Sequence, residues 1–180
     1  MSVTGITETS QYLTFKLDQE IYALDIMQVR EVLDFSDITK VPRMPDFMRG
    51  VINLRGGVVP VVDLRLKFGM TRTEKTGDTC VIIIDLAVEG ETTILGVLAD
   101  SVQEVLTMEP DEIVAPPKIG TRLNTDFIKG MGKKNDEFVI IVDIDKVFSF
   151  DEVAVLQAHE DAQVIQETKG QVQDEKVSRD

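Results

Sequence analysis

Catalysis by a nucleophile or a metal would require side chains that this sequence does not group together. The one histidine, His159, lies in a polar C-terminal stretch, and the one cysteine, Cys80, begins an apolar run. A nucleophile needs an oriented base beside it, and a zinc site needs clustered histidine or cysteine. We therefore predict a protein that is not an enzyme and binds neither metal nor cofactor, with Cys80 as a small buried core residue.

Two aspartates and one arginine are the remaining candidates for chemistry. Asp63 and Asp143 each end a predicted strand and open a turn, so capping explains them better than a catalytic carboxylate pair. Arg55 stands between Leu54 and Gly56-Gly57, and no Gly-Lys-Ser or Gly-Lys-Thr follows that would make this a phosphate loop. Its planar guanidinium could bind a partner's carboxylate or carbonyl groups, or it could fasten its own loop, and both alternatives stay open.

The segments that carry these residues form an internal repeat. Val29-Arg30-Glu31-Val32-Leu33 recurs as Val102-Gln103-Glu104-Val105-Leu106, Asp46-Phe47-Met48-Arg49-Gly50 as Asp126-Phe127-Ile128-Lys129-Gly130, and Val62-Asp63-Leu64 as Val142-Asp143-Ile144. The offset changes once, from 73 to 80 residues, which predicts a duplicated unit with a loop insertion in its second copy. The seam between two such lobes is a common place for binding. The turn around Arg55, which the second copy does not share, is where we first expect function.

Composition and charge exclude several classes of function. The 180 residues are 43% hydrophobic and contain no Trp, and the formal net charge is −13. A strongly acidic chain is a poor general ligand for nucleic acid or for an anionic membrane. No apolar signal segment begins the chain, and no apolar run approaches the ~20 residues of a membrane span. We expect a cytoplasmic protein with no direct membrane insertion.

Charge is distributed unevenly along the chain. Eight basic and three acidic residues lie between Lys40 and Lys75, which gives that segment a net charge of +5. For most of these residues a solvated face is the preferred interpretation. Met27 and Val29 precede Glu31, and an exposed apolar strip there would suit an amphipathic helix from a partner.

Most segments have the pattern of short strands. Leu13, Phe15 and Leu17 alternate with polar residues, and a polar turn before residues 21–24 predicts a hairpin. Residues 80–86 and 94–99 predict a second hairpin, and residues 138–142 a last strand. Pro60, within residues 58–62, predicts an edge strand or a bulge because it cannot donate to a ladder. The chain is therefore predicted to be all-β, with two small barrels of similar build.

Helical segments are predicted to be short. Residues 25–32 would form a turn or two, residues 45–48 would form one turn stopped by Gly50, and residues 63–68 would end at Gly69. Ser149 and Glu152 match a capping box that opens a C-terminal helix. We predict a first barrel over about 11–73, a second over about 78–148, a helix over 149–157, and a polar, disordered tail over 158–180.

The sequence resembles a known family. Gly50-Val51-Ile52-Asn53-Leu54-Arg55-Gly56 and then Val59-Pro60-Val61-Val62-Asp63-Leu64-Arg65 are similar to the signature of CheW-like chemotaxis coupling proteins. Supporting matches are Tyr22-Ala23-Leu24-Asp25-Ile26, Gly96-Val97-Leu98-Ala99-Asp100 and the glycines Gly130 and Gly132. The resemblance covers about residues 11–156 and implies one domain over 11–157, built from two SH3-like, five-stranded β-barrels.

The resemblance also implies function and partners. Members of the family are non-enzymatic scaffolds that couple the cytoplasmic tips of chemoreceptors to the regulatory domain of the histidine kinase CheA in membrane-bound receptor arrays. It implies that Val29, Glu31 and Arg55 are receptor- or kinase-binding positions, and that Gly50, Gly96 and Val105 line or shape the groove. For Gly50 and Gly96, a purely conformational role stays open.

Three other functions remain as alternatives. An adaptor of a related chemosensory pathway, such as pilus-based motility, has the same sequence features. A small-molecule or oligonucleotide binder predicts stacked aromatics or a basic groove, which the acidity and the lack of Trp disfavour. A hydrolase lacks a nucleophile–base pair.

Overall fold

The structure, a computed structural model, is mostly β in the residues that it describes, which are 6, 8–35, 37–88, 90–116, 127–149 and 151–156. The strands are β1 (Ser10–Leu17), β2 (Glu20–Asp25), β3 (Val29–Asp34), β4 (Met48–Leu54), β5 (Gly57–Asp63), β6 (Cys80–Val88), β7 (Glu91–Ala99), β8 (Ser101–Met108), β9 (Ile113–Val114), β10 (Ile128–Lys134) and β11 (Glu137–Val142). Helix α1 spans Leu64–Lys67 and residues 151–156 are helical. Single 3-10 turns lie at Ile26–Gln28, Pro110–Glu112 and Ile144–Lys146.

The strands form two curled sheets, and strands that are equivalent in the internal repeat follow one another in the same order in both. The first sheet runs β3-β6-β7-β5-β4, and the second runs β8-β1-β2-β11-β10-β9. Each contains one parallel contact, β5 with β7 in the first and β11 with β2 in the second. The short β9, from the inserted loop of the second copy, extends the second sheet at β10. These are the two SH3-like barrels expected from the sequence, although the second has a sixth strand.

The barrels exchange hairpins, which the sequential division at about residues 73–78 did not predict. The hairpin β1–β2 belongs to the second sheet, and the hairpin β6–β7 belongs to the first. The exchange depends on the two parallel contacts, which join strands that are far apart in the chain. A period-two pattern shows which face of a strand is buried but not which strand it pairs with. Each barrel therefore needs both halves of the sequence to form.

The internal repeat is visible in backbone geometry. The Asp63 amide donates to the Phe47 carbonyl at 2.6 Å, and 80 residues later the Asp143 amide donates to the Phe127 carbonyl at 2.7 Å. The ladder irregularity between Met48 and Gly50 also recurs 80 residues later in β10. The duplication predicted from the sequence thus extends to equivalent hydrogen bonds and bulges.

The described residues form three apolar cores, because the sheets bury both faces. Val61 and Ile83 point into the first barrel, whereas Val62 and Ile82 belong to a larger core shared between the barrels. The second barrel has its own core around Tyr12, Met108 and Ile141. Neighbouring side chains on a strand point to opposite faces of the sheet. A strand with a core on each face is therefore apolar at almost every position. This accounts for the high hydrophobic content of a chain without Trp.

Two local predictions are confirmed by capping geometry. The Asp63 carboxylate accepts from the Arg65 amide at 3.1 Å at the start of α1, and Gly69 follows with φ 79°. Ser149 and Glu152 form the reciprocal capping box, with bonds of 2.9 and 3.1 Å. The helix that it opens buries apolar side chains in the shared core.

Other local predictions were wrong. Residues 25–32 form one 3-10 turn followed by β3, and Gly50 lies inside β4 rather than ending a helix. Pro60 is not on an edge strand, because β5 lies between β7 and β4, and the irregularity of the β4–β5 ladder lies on β4, between Met48 and Gly50, rather than at Pro60. Its missing donor is tolerated because the parallel pairing with β7 begins at Val61. Cys80 is only half-buried at the start of β6, and burial raises the pKa of its thiol.

Candidate protein-binding surface

Arg55 stands at the tip of the β4–β5 hairpin. Leu54 pairs with Gly57, which leaves Arg55 and Gly56 as a two-residue turn with φ values of 52° and 83°. Positive φ at both central residues is the geometry that matches the twist of a hairpin. The Asn53 Oδ1 accepts from the Gly56 amide at 2.9 Å and fixes the turn. The side chain of Arg55 is 76% exposed.

A bidentate ion pair joins this turn to β3. Arg55 Nη1 and Nη2 donate to the two carboxylate oxygens of Glu31 at 2.8 and 2.9 Å. The hydrogen bonds and charge of Glu31 raise the pKa of Arg55 further above its usual range. β3 and β4 are opposite edges of the sheet, so the pair helps to close the barrel, alongside the bridge between Thr39 and Val51. Arg55 therefore fastens its own turn while remaining exposed.

The ion pair leaves donors available to a partner. A guanidinium has five N–H groups in a planar fork, and Glu31 accepts from Nη1 and Nη2 only. The Glu31 side chain is 24% exposed. A partner's carbonyl or carboxylate could therefore bind Arg55 without breaking the pair.

Exposed apolar side chains lie close to Glu31 in the chain, on β3 and in the turn before it. The side chain of Met27 is 84% exposed, as the sequence suggested for this strip. Its backbone amide donates a hydrogen bond to the Asp25 carboxylate, which fixes the turn. Val29 is half-buried against the shared core. Val32, which we did not single out, is 40% exposed. The 73-residue repeat pairs it with Val105, which is 47% exposed on the edge strand β8, so the repeat itself could have found it.

Gly50 and Gly96 lie inside the first sheet, on either side of Val61. Gly50 pairs with Val61 in β5, and Val61 pairs with Gly96 in β7. A Cβ on Gly50, where φ is 142°, would lie 2.1 Å from the Thr39 carbonyl oxygen. A Cβ on Gly96 would lie 2.9 Å from Val81 Cγ1. Both positions require glycine for packing, and neither reaches the surface that carries Arg55.

The equivalent turn of the second copy has the same backbone and different chemistry. Asn135 and Asp136, with φ values of 51° and 62°, replace Arg55 and Gly56. Glu104, the repeat partner of Glu31, and Asn135 both line a cavity of about 120 Å³ there. The bidentate pair is therefore a feature of the first copy, as the unshared turn predicted.

The carboxylates of Asp63 and Asp143 interact with neighbouring residues of the chain. Asp63 is fully buried and accepts from the Thr73 amide and hydroxyl at 2.9 and 2.7 Å, and from Arg49 at 3.3 Å. Asp143 makes no capping bond and lies 3.8 Å from Lys146. The described residues contain no group of three potential metal ligands. His159 lies outside them.

The fold defines a class of protein, two interlocked SH3-like barrels, and this one has an exposed ion pair and exposed apolar side chains on its surface. The CheW-like domain family model matches residues 11–152. The chemotaxis protein CheW of Klebsiella aerogenes is 32% identical over 154 residues, which cover 86% of this chain and 90% of that protein. The CheW of Bacillus subtilis is 32% identical over 139 residues, 75% of this chain and 84% of that protein.

A solved structure agrees with the sequence relatives. The scaffolding protein TtCheW of Thermoanaerobacter tengcongensis matches with a TM-score of 0.70 at 35% identity, over 80% of this chain and 95% of that one. This chain belongs to the CheW-like family, and it is a chemotaxis coupling adaptor. No helix in the described part of the chain is long and apolar enough to cross a membrane.

Proposed function

We propose that this chain binds a chemoreceptor tip and the regulatory domain of a CheA-type kinase at once, without catalysis of its own. The observation that carries the proposal is the exposed Arg55–Glu31 pair, and the exposed apolar side chains of Met27 and Val32, close to Glu31 in the chain, support it. Aromatic, Met and Arg side chains are enriched where proteins bind one another. The names of the relatives, chemotaxis and scaffolding proteins, support the same pathway.

The side chains have separate roles in this proposal. Met27, Val32 and Val105 supply apolar area to a helical partner, and Val29 supports the strand from the shared core. Arg55 and Glu31 orient the partner through charge-assisted hydrogen bonds. Gly50 and Gly96 act through the shape of the first barrel.

The mechanism is mass action on an assembly. Two faces of roughly 800 Å² each are enough for specific association, and binding both partners raises their effective concentration for each other. Kinase activity then follows the geometry that the bound receptor favours. The protein works in the cytoplasm and reaches the membrane only through receptor arrays.

A reconstituted kinase assay tests the proposal. Kinase autophosphorylation is measured with receptor fragments and either the parent protein, Arg55→Ala or Arg30→Ala. Arg30 is a matched control, because it is an exposed arginine on β3, next to Glu31, with one ion pair, to Asp85 at 2.6 Å. We expect Arg55→Ala to reduce receptor control of the kinase while Arg30→Ala preserves it. Equal activity of all three proteins would contradict the role of Arg55.

Absence of any receptor-dependent effect would contradict the chemotaxis pathway itself. The parent protein would then be tested with the kinase of a pilus-motility system, which has the same family of adaptors.

A further inference from the structure

Three cations in the basic segment between Lys40 and Lys75 have no side-chain partner among the described residues. Four other cations of the segment form ion pairs, and Lys75 lies 5.1 Å from the Phe35 ring centre. The three that remain, all with exposed side chains, are Lys40, Arg43 and Arg72. In a chain of net charge −13, they form a positive patch that no ion pair within the described part of the chain neutralises.

The three cations line one cavity of about 480 Å³. Its walls also include apolar side chains, among them Leu66 and Met44, which packs against the shared core. Asp46 contributes a carboxylate to the lining, and Arg49 contributes a further cation, whose guanidinium binds the buried Asp63. The volume lies within the roughly 300–1,000 Å³ of ligand pockets. The cavity therefore offers positive charge beside apolar surface in a space large enough for several side chains.

Arg72 is held in position by its two neighbours in the chain. The amide and the hydroxyl of Thr73 donate to the fully buried Asp63 at 2.9 and 2.7 Å. The carbonyl of Thr71 accepts from Arg65 Nε at 2.9 Å. The backbone at Arg72 is therefore fixed on both sides, which lowers the entropy cost of ordering this segment when a ligand binds. Asp63 thus has a positioning role for the cavity in addition to its cap of α1.

The cavity lies away from the surface that carries Arg55. Arg49 is near the start of β4, and Arg55 is in the turn that follows the end of the same strand. Six positions along the chain, in extended backbone, separate the two residues by about 20 Å. A ligand in the cavity would therefore leave the Arg55–Glu31 pair accessible, and the two surfaces can bind different partners at once.

The lining selects the chemistry of the ligand. The unpaired cations attract carboxylates, which the arginines can bind bidentately, and the apolar walls favour aliphatic side chains next to those carboxylates. Nucleic acid is disfavoured, because a chain of net charge −13 repels its phosphate backbone. We propose that this cavity binds a segment of a partner protein in which acidic and aliphatic side chains lie next to each other.

Titration with a synthetic peptide, followed by the amide NMR signals of the full chain, tests the proposal. The probe is a short peptide that carries two leucines between glutamates, with both ends capped so that they have no charge. We expect saturable shifts in residues 40–49, 66 and 72 in about 0.1 M salt, where a Debye length of about 10 Å limits attraction to nearby charges. Probes with glutamine for glutamate, or with serine for leucine, should each bind more weakly.

Charge reversal at the cavity separates local recognition from the overall charge of the chain. Lys40→Glu/Arg72→Glu should weaken binding by about tenfold or more, because each substitution removes an attraction and adds a repulsion. Lys133→Glu/Lys134→Glu on β10 changes the net charge by the same amount and should leave the affinity within about twofold. Arg43 is kept, because its φ of 61° makes the backbone there sensitive to substitution. The amide spectra report the folding of every variant.

Several results would overturn the proposal. No saturable shift up to about 1 mM peptide, shifts centred on another surface, or an equal loss of affinity in the β10 control would show that the cavity does not recognise the probe. Equal binding of the serine probe, or displacement of the peptide by an equal concentration of inorganic phosphate, would show a site for small anions. The same shifts on raising the protein concentration without peptide would show that a second copy of this chain occupies the cavity.

Discussion

Substitution of Gly50 by alanine should destabilise the protein without touching its binding surface. The new Cβ would meet the Thr39 carbonyl oxygen at 2.1 Å and Ile38 Cγ2 at 2.8 Å. The first of these atoms is backbone, and it is fixed by the reciprocal bonds between Thr39 and Val51, both 2.9 Å. The residue also has φ 142°, which side-chain-bearing residues rarely adopt. Relief of the clash would therefore require β4 or the Thr39 segment to move.

The cost can be estimated from these two effects. Overpacking a fixed environment costs about 1–3 kcal/mol, and a backbone conformation reserved for glycine costs about 1–3 kcal/mol. A total near 4 kcal/mol would lower the melting temperature by roughly 8–16 °C for a domain of this size. Gly57→Ala is the matched control, because its Cβ would lie 3.4 Å from the Leu54 carbonyl oxygen, an ordinary contact.

Thermal unfolding by circular dichroism, followed by kinase-domain binding well below the transition, measures both properties. We expect Gly50→Ala to melt early, Gly57→Ala to melt with the parent, and both to bind with parental affinity while folded. A Gly50→Ala protein that melts within about 2 °C of the parent would refute the steric argument. A folded Gly50→Ala protein that fails to bind would show that Gly50 contributes to the surface itself.

Three further predictions concern charged side chains. Arg55→Ala should weaken the kinase response while the protein melts with the parent, because the ion pair is exposed; a collapsed melt would show that Arg55 is mainly structural. Asp63→Ala leaves Arg49, 15% exposed, without its buried partner and should cost about 3–5 kcal/mol in urea unfolding; a loss below about 1 kcal/mol would contradict this. Burial, and to a lesser degree the charge of Asp143, holds the pKa of Asp145 above its ordinary value of 3.8. The folded parent therefore binds this proton more tightly than the unfolded chain and loses stability as pH rises from 3.8 through the raised pKa; Asp145→Asn should gain relative to the parent across that window, and a pH-independent difference would count against it.

Alternating and apolar runs predicted β1, β2, β5, β6, β7 and β11, but they did not predict β3, whose segment has a helical pattern, or the exchange of hairpins. Residues 80–84 are apolar at every position because Ile82 and Ile84 face the shared core while Val81 and Ile83 face the first barrel. That pattern indicates burial on both faces and is silent about the partner strand. The parallel contacts of β5 with β7 and of β11 with β2 depend on how the two barrels pack together.

The candidate surface was predictable in part. The unshared turn drew attention to Arg55, and the resemblance named Glu31, but neither indicated that they bind each other across 24 residues. Their contact depends on the curl of a whole sheet, which brings β3 and β4 together. Capping boxes were easier to predict, since Ser149 and Glu152 meet within one helical turn.

Calorimetric titration of this protein into the isolated regulatory domain of the CheA-type kinase from the same organism tests coupling most directly. The account predicts saturable binding near one-to-one, weakened by Arg55→Ala and preserved in Arg30→Ala. Two results together would contradict coupling by this protein. One is no heat change at tens of micromolar, about the weak end of specific association, and the other is no displacement of a bound receptor fragment.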